Sequence, residues 1–430
     1  MSNEFSRRQM LGMFGLAGAG ALLTACAGPG TTARPTASAG TSAFSGKATG
    51  NVSFAHWRAE DKPAFDELIK KFTAAHPDIT MTQDITPSAD WTANGLQKLR
   101  GSAVGDAFAT LRGSQFEQVV KAGVYADLTG TKAAANYQNP EAGTKNGKVL
   151  GLPLQVVFNQ PVINLDAFDK ANADKAPADW DSLLNTCDKL KTAGFVPIAW
   201  PGGDAGNLGQ LFNSMILNHA PAEDMCAQIE QGKLKVTDSW FIDMLKQYQQ
   251  LAPFFQDKST GTLQDGARVM FAQGTAAMMA TGSFDILTVR KQGAKFPIDM
   301  LFPKTVAKGK KSKYDGVYNQ TFIMGVNSAS KTQPAAYAWL EFMSQPENAG
   351  YYANNTAQHV GVKGVKYTDK DLSDLEPWLS KNNALAPRFQ FLNLDVRKAV
   401  EGTTVAVVGG TSPEKAAEDA QKIVDQNRQS

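Results

Sequence analysis

The side chains that most often carry chemistry are sparse in this chain. The four histidines, His56, His76, His219 and His359, are scattered and form no HExxH or similar metal spacing. No GxSxG elbow and no GxxxxGK[ST] loop is present. GLAGAG, residues 15–20, lies in an apolar leader and is not a phosphate loop. Carboxylates are plentiful, but none is marked by spacing as an acid–base pair, so a glycosidase is a rival reading without a motif. No cofactor or metal is expected. Three cysteines remain: Cys26, Cys187 and Cys226. The spacing of the last two is not that of a metal site. Two readings stand for Cys187 and Cys226: a disulfide in an oxidising compartment, or two buried free thiols.

Cys26 directly follows a leader. SRRQMLG places Arg7 and Arg8 before a run of Gly, Ala, Leu, Met and Phe, and small residues close it. These are the parts of a signal peptide, over residues 1–25. The run is too short and too glycine-rich for a good spanning helix, which needs about 20 predominantly apolar residues. The paired arginines indicate the twin-arginine export route. Leu23-Thr24-Ala25-Cys26 resembles a bacterial lipobox, whose cysteine receives a diacylglycerol. The plainer alternative is an ordinary signal peptide with a chance cysteine. Residues 26–50 then form a lipidated tether, because Gly, Pro, Ser, Thr and Ala cannot bury enough surface to offset ordering entropy. This places the protein on the extracytoplasmic face of the membrane, held by its lipid.

The chain has 430 residues with 43 Lys+Arg and 41 Asp+Glu. Without Glu4, Arg7 and Arg8 the balance is 41 basic to 40 acidic residues. Such neutrality gives no support for nucleic acid as a partner. The length after the tether suits two domains.

The elements alternate. NVSFAHW, residues 51–57, reads as a strand. In the following helix Phe65, Leu68, Ile69 and Phe72 share one face, with Pro63 in the first turn. ITMTQDI, residues 79–85, is a second strand. Strand, helix, strand is the unit of a parallel sheet. Further strands are expected over 105–111, 195–200, 276–282, 297–303 and 321–327, and helices over 114–122, 180–193, 208–219, 239–251, 333–344 and 412–429. Residues 149–168 read as one extended apolar segment with two prolines. KGKKSK, residues 308–313, reads as a solvated loop.

Ligands in open α/β sheets sit beyond the carboxyl ends of strands. After the first strand come Trp57, Arg58 and Glu60: a ring to stack on a flat ligand and side chains to form hydrogen bonds with it, or else a core tryptophan and a charged helix start. Gln155 and Asn159 are polar within an apolar run, which implies either a ligand or a structural hydrogen bond.

Several phrases carry a family resemblance, in family order. They are KPAFDELIKKFTAAHPDI, QVVKAGVYADLTG, GKVLGLPLQVVFNQPVINLDAF, APADWDSLLNTCDKLKTAGFVPIA, FAQGTAAMMATGSFDI and AAYAWLEFMSQPENAGYYANNT. The chain resembles the extracellular solute-binding proteins of carbohydrate ABC importers, the maltose-binding-protein-like group, over almost its whole length after the tether. The resemblance implies an α/β fold of two discontinuous lobes joined by crossing hinge strands, with the ligand cleft between them. It places the lobes at 51–158 plus 297–323 and at 159–296 plus 324–430. Crossings fall near 157–159, 290–296 and 323–325.

The resemblance also implies further cleft residues. Arg112, Ser114 and Gln115 fall in the first-lobe binding loop. Trp200, Asp204 and Asn207 line the second lobe, and Phe284 and Asp285 stand where relatives carry a stacking tryptophan. Asn319 and Gln320 precede the third crossing, and Arg388 and Asn393 lie in a late segment that closes over the cleft. Trp180 is a packing residue. Phe284, Thr110 and Ile163 stand where relatives have larger flat rings, which argues for a mono- or disaccharide over a long chain. Arg58 and Arg112 leave an acidic sugar open. The implied function is capture of a small carbohydrate by a monomer and delivery to an ABC permease, without catalysis. The alternatives are a secreted carbohydrate-processing lipoprotein enzyme, a binder of a non-sugar polar solute, and a structural envelope lipoprotein.

Overall fold

The computed structural model describes residues 44–428 apart from 102, 103 and 139. The signal peptide, Cys26 and most of the tether lie outside the described residues. The strands in chain order are β1 (Gly50–His56), β2 (Ile79–Ile85), β3 (Ala107–Thr110), β4 (Thr144–Lys145), β5 (Lys148–Val149), β6 (Leu152–Phe158) and β7 (Val162–Asn164). They continue with β8 (Val196–Ala199), β9 (Ala276–Met279), β10 (Ile298–Met300), β11 (Gly316–Val326), β12 (His359–Val360) and β13 (Asn383–Leu385).

Two α/β lobes result. The first is built on a seven-stranded sheet of order β12-β6-β11-β3-β1-β2, with β13 also on β11. The second is built on a four-stranded sheet of order β10-β7-β9-β8. β1 runs parallel to β2 and β3, while β11 is antiparallel to β3 and β6. The helix Lys62–Ala75 has Pro63 in its first turn and buries Phe65, Leu68 and Phe72 on the first sheet, as its 3–4 spacing predicts. Trp339, Leu340, Met343 and Tyr352, from the helices Gln333–Met343 and Pro346–Thr356, complete the first core. The second core gathers Trp180, Trp200, Phe241 and Tyr248 with Val396, Val400 and Val424 from the last two helices. A third cluster, including Phe158, Val162, Val317 and Trp378, lies where the chain passes between the sheets.

Four expectations are corrected. The extended reading of 149–168 breaks after Phe158, and Leu165–Lys170 is helical, with the Asn164 side chain accepting from the Ala167 N–H at 3.2 Å as its cap. The crossing expected near 290–296 falls later, because Ile298 and Met300 of β10 pair with β7 in the second sheet. Residues 324–372 are not second-lobe material throughout, since Trp339 and Tyr352 pack in the first core. The tether ends earlier than residue 50: Phe44 is buried and stacks on Tyr337 with ring centroids 4.6 Å apart.

Cys187 and Cys226 are both free and buried in the second core, so the disulfide reading gives way to the thiol one. Burial pushes the Cys187 thiol up to about 12 and raises Cys226 well above its ordinary value, which leaves both inert at neutral pH. Among the described residues no helix is long and apolar enough to cross a membrane.

Candidate functional site at the crossing strands

The site is built on the antiparallel ribbon of β6 and β11. The register pairs Tyr318 with Phe158, Asn319 with Val157, Gln320 with Val156 and Thr321 with Gln155. The Asn159 N–H continues it, donating to the Val317 carbonyl at 3.0 Å. Side chains alternate along a strand, and directly paired residues share a face. One face therefore carries Gln155, Val157, Asn159, Asn319 and Thr321; the other carries Val156, Phe158, Tyr318 and Gln320.

The first face is anchored at both ends. At the first lobe, Arg58 donates to both oxygens of Asp61, Nε to Oδ2 at 2.7 Å and Nη2 to Oδ1 at 2.9 Å. Tyr352 donates its hydroxyl to Asp61 at 2.5 Å, and Gln155 Nε2 donates to the Tyr352 oxygen at 2.5 Å. Burial alone would lower the Arg58 pKa, but Asp61 and Glu60 raise it well above the ordinary value. At the second lobe, Asn159 Nδ2 donates to Gln210 Oε1 at 2.9 Å.

Between the anchors the polar groups lack partners. Asn319 is fully buried, and neither its Nδ2 nor its Oδ1 has a hydrogen-bond partner. Asn159 Oδ1, Thr321 Oγ1 and, beyond β9, Thr281 Oγ1 are also buried and unpaired. Buried polar groups are ordinarily satisfied, so such a group calls for an explanation.

Trp57 is buried in the first core, its ring 5.0 Å from that of Phe322 in β11, as the core-tryptophan alternative has it. Phe322 holds φ at 51°, a left-handed conformation inside a strand, with its ring buried beside Phe54 and Phe65. That geometry costs about 1–2 kcal/mol, which its buried ring offsets. The lobes meet beside this face: Lys291 Nζ donates to the Glu60 carbonyl at 3.4 Å. Burial would raise the Glu60 pKa, but Arg58, and more weakly Arg268, hold it below its ordinary value.

The expected residues divide clearly. Arg58, Glu60, Gln155, Asn159 and Asn319 come together at the ribbon. Gln320 is on the opposite face, where it lines a cavity of about 460 Å³ with Val156, Tyr318, Tyr367 and Lys381. Arg112 is half-buried near Tyr318 and Glu141, and burial lowers its pKa. Ser114 is buried in the first turn of its helix.

Others are occupied by structure. Gln115 accepts from the Leu111 N–H and donates to the Trp91 carbonyl. Trp200 is a core residue stacked on Phe255, its Nε1 donating to the Leu208 carbonyl. Asp204 closes a turn on the Gly206 N–H, and Asn207 is half-buried in the same loop. Asp285 is fully buried and accepts from Arg268 and Gln264. Its neighbour Phe284 is half-buried. Arg388 is paired with Glu401 at 3.0 Å and donates to the Gly206 carbonyl. Asn393 caps the helix Leu394–Val408.

Gln210, Thr281, Thr321 and Arg268 were not expected at the site. Thr321 sits two residues beyond Asn319, so strand alternation alone could have found it; the other three are brought in by tertiary contacts.

Two α/β lobes on a crossing ribbon, with unpaired polar groups at their junction, define the class of two-lobed solute receptors. The chain belongs to the bacterial extracellular solute-binding protein family, whose family model matches residues 57–350. A binding protein of Brucella abortus strain 2308 is 23% identical over 366 residues, covering 81% of this chain and 82% of the relative. A chitin oligosaccharide binding protein superposes with a TM-score of 0.75 at 21% identity, over 88% of this chain and 99% of that one. The solute-binding protein RafE in complex with raffinose gives 0.75 at 18%, over 89% and 100%. The bacterial solute receptor AcbH, described as exclusive for β-D-galactopyranose, gives 0.74 at 16%, over 87% and 98%.

Proposed function

We propose that this receptor captures a small carbohydrate, a mono- or disaccharide, outside the cytoplasmic membrane and hands it to an ABC permease. It does no chemistry. It acts as a monomer, held at the membrane by a diacylglycerol on Cys26. The observation that carries the reading is the row of neutral amides and hydroxyls on one face of the ribbon, at the junction of the lobes. Sugars need such hydrogen-bonding groups for their hydroxyls and an aromatic surface for their C–H faces. The described relatives include receptors for chitin oligosaccharide, raffinose and galactopyranose. A small ligand is favoured because two of the three aromatic residues in the candidate loops are buried, Trp57 in the first core and Trp200 in the second, which leaves the half-buried Phe284.

The mechanism is a population shift. A solute that touches both lobes makes its full set of contacts only when they are closed, so binding favours closure. The permease then recognises the closed form.

The test is a thermal-shift and calorimetric panel of mono- and disaccharides. A binder raises the melting temperature by mass action and gives reversible heat without product. Trp57→Ala should weaken the binding of the responding sugar at least about tenfold, or ~1.4 kcal/mol, while the fold persists. Product formation would favour an enzyme, and an unchanged dissociation constant in the variant would remove Trp57 from the site.

A further inference from the structure

We propose that Asn319 is the residue that reads the solute's hydroxyl pattern, and that the solute is a neutral sugar presenting two adjacent hydroxyls to it. The inference rests on the carbohydrate reading above and deepens it. Asn319 is fully buried on the face of the ribbon that also carries Gln155 and Asn159, and both ends of its amide lack a partner. A desolvated amide of this kind is destabilising for as long as its donor and acceptor lack partners. A planar amide offers one acceptor and one donor side by side. A pair of neighbouring hydroxyls supplies the complement, one donating to Oδ1 and the other accepting from Nδ2. Asn159 Oδ1 and Thr321 Oγ1, on the same face, extend that polar row.

The surrounding charges argue for a neutral ligand. Three guanidiniums of the lobe junction are already matched by carboxylates. Arg58 is paired with Asp61 and Glu60. Arg268 is paired with Asp285 and Asp265. Arg388 is paired with Glu401. An acidic sugar would have to bring an unmatched charge into a desolvated site. A water molecule could satisfy one end of the amide, but it would not make the site select between sugars.

A stability readout separates this role from a purely structural one. In Asn319→Leu the shape is nearly kept and the unpaired amide is gone. The ligand-free variant should melt a few degrees higher than the wild type, since removing a desolvated polar group stabilises a core. The same variant should bind the sugar identified by the panel at least about a hundredfold more weakly, because a site built to bond a hydroxyl rejects what cannot make the bond. Asn319→Ala, smaller and free of overpacking, should show the same loss of binding. Wild type should discriminate strongly against the analogue of that sugar deoxygenated at one of the two hydroxyls, and the variants should not.

Retention of wild-type affinity by both variants, or tighter binding of a uronic acid than of its neutral parent, overturns the assignment while the carbohydrate reading stands. A ligand-free Asn319→Leu protein less stable than wild type also overturns it, because the amide would then have a partner. If no sugar of the panel binds wild type, the functional reading itself fails, and the diol assignment with it.

Discussion

Asp61→Ala will destabilise the folded protein by about 3–5 kcal/mol, the cost of leaving a buried charge without its partner. Asp61 is fully buried, takes both donors of Arg58, and also accepts from Tyr352 and more weakly from Gln155. After its removal Arg58 keeps only Glu60, at 3.2 Å and partly exposed to solvent. Urea denaturation measures the loss. The pair itself need not be strongly stabilising, because both ions give up their hydration on burial. Arg58→Met with Asp61→Leu should therefore lose less than Asp61→Ala alone. A double variant worse than the single one would show that the ion pair contributes more than its desolvation costs. The network holds Gln155 and the loop after β1 in place, so Asp61→Ala should also loosen the first-lobe end of the polar face.

Acidification between pH 6.5 and 4 carries the second large effect. His56 is fully buried, accepts the Arg58 N–H on Nδ1 at 3.2 Å, and meets Gln83 Oε1 through Nε2 at 3.0 Å. With Nδ1 accepting, the proton sits on Nε2 and the ring is neutral. Burial pushes its pKa down to about 4. His359 is likewise buried, with Nε2 at 3.0 Å from the Leu372 carbonyl, and burial pushes it down to about 4.

The unfolded chain takes up these protons near pH 6.5, and the folded chain only near pH 4. Stability from both rings is thus fully present above about pH 6.5 and falls as the pH drops through that window, by about 3 kcal/mol for each ring. Urea midpoints between pH 7 and pH 5 read it before most carboxylates titrate. The variant His56→Gln with His359→Gln should flatten the slope in that range. A slope equal to that of the wild type would place the acid sensitivity elsewhere.

How far the sequence reaches differs from element to element. The helix Lys62–Ala75 and strand β2 are legible because their signals are local: Phe65, Leu68 and Phe72 repeat with the helical turn, Pro63 fits the first turn, and ITMTQDI alternates. Gln155 and Asn159 are legible as anomalies, since polar side chains in an apolar run need a partner. The roles of Trp57 and Trp200 are not separable from sequence. Both follow a strand of small and apolar residues, and both are buried: Trp200 packs on Phe255 in the second core, and Trp57 packs on Phe322 in the first. Arg388 and Asp285 also read as binding groups until their partners Glu401 and Arg268 are seen.

By itself the sequence determined the α/β alternation, most of the strands, several of the helices and the segment that carries the crossing ribbon, while the two-lobed arrangement was implied by the family resemblance. Backbone preferences and apolar periodicity act over a few residues, and the chain states them directly. Only the tertiary structure decided which polar groups are satisfied. The hydroxyl of Tyr352 reaches Asp61 across 291 positions, and the Gln155 amide meets Tyr352 across 197. Whether Asn319 finds such a partner is settled by every neighbour the fold brings to it, and a linear pattern does not contain that information.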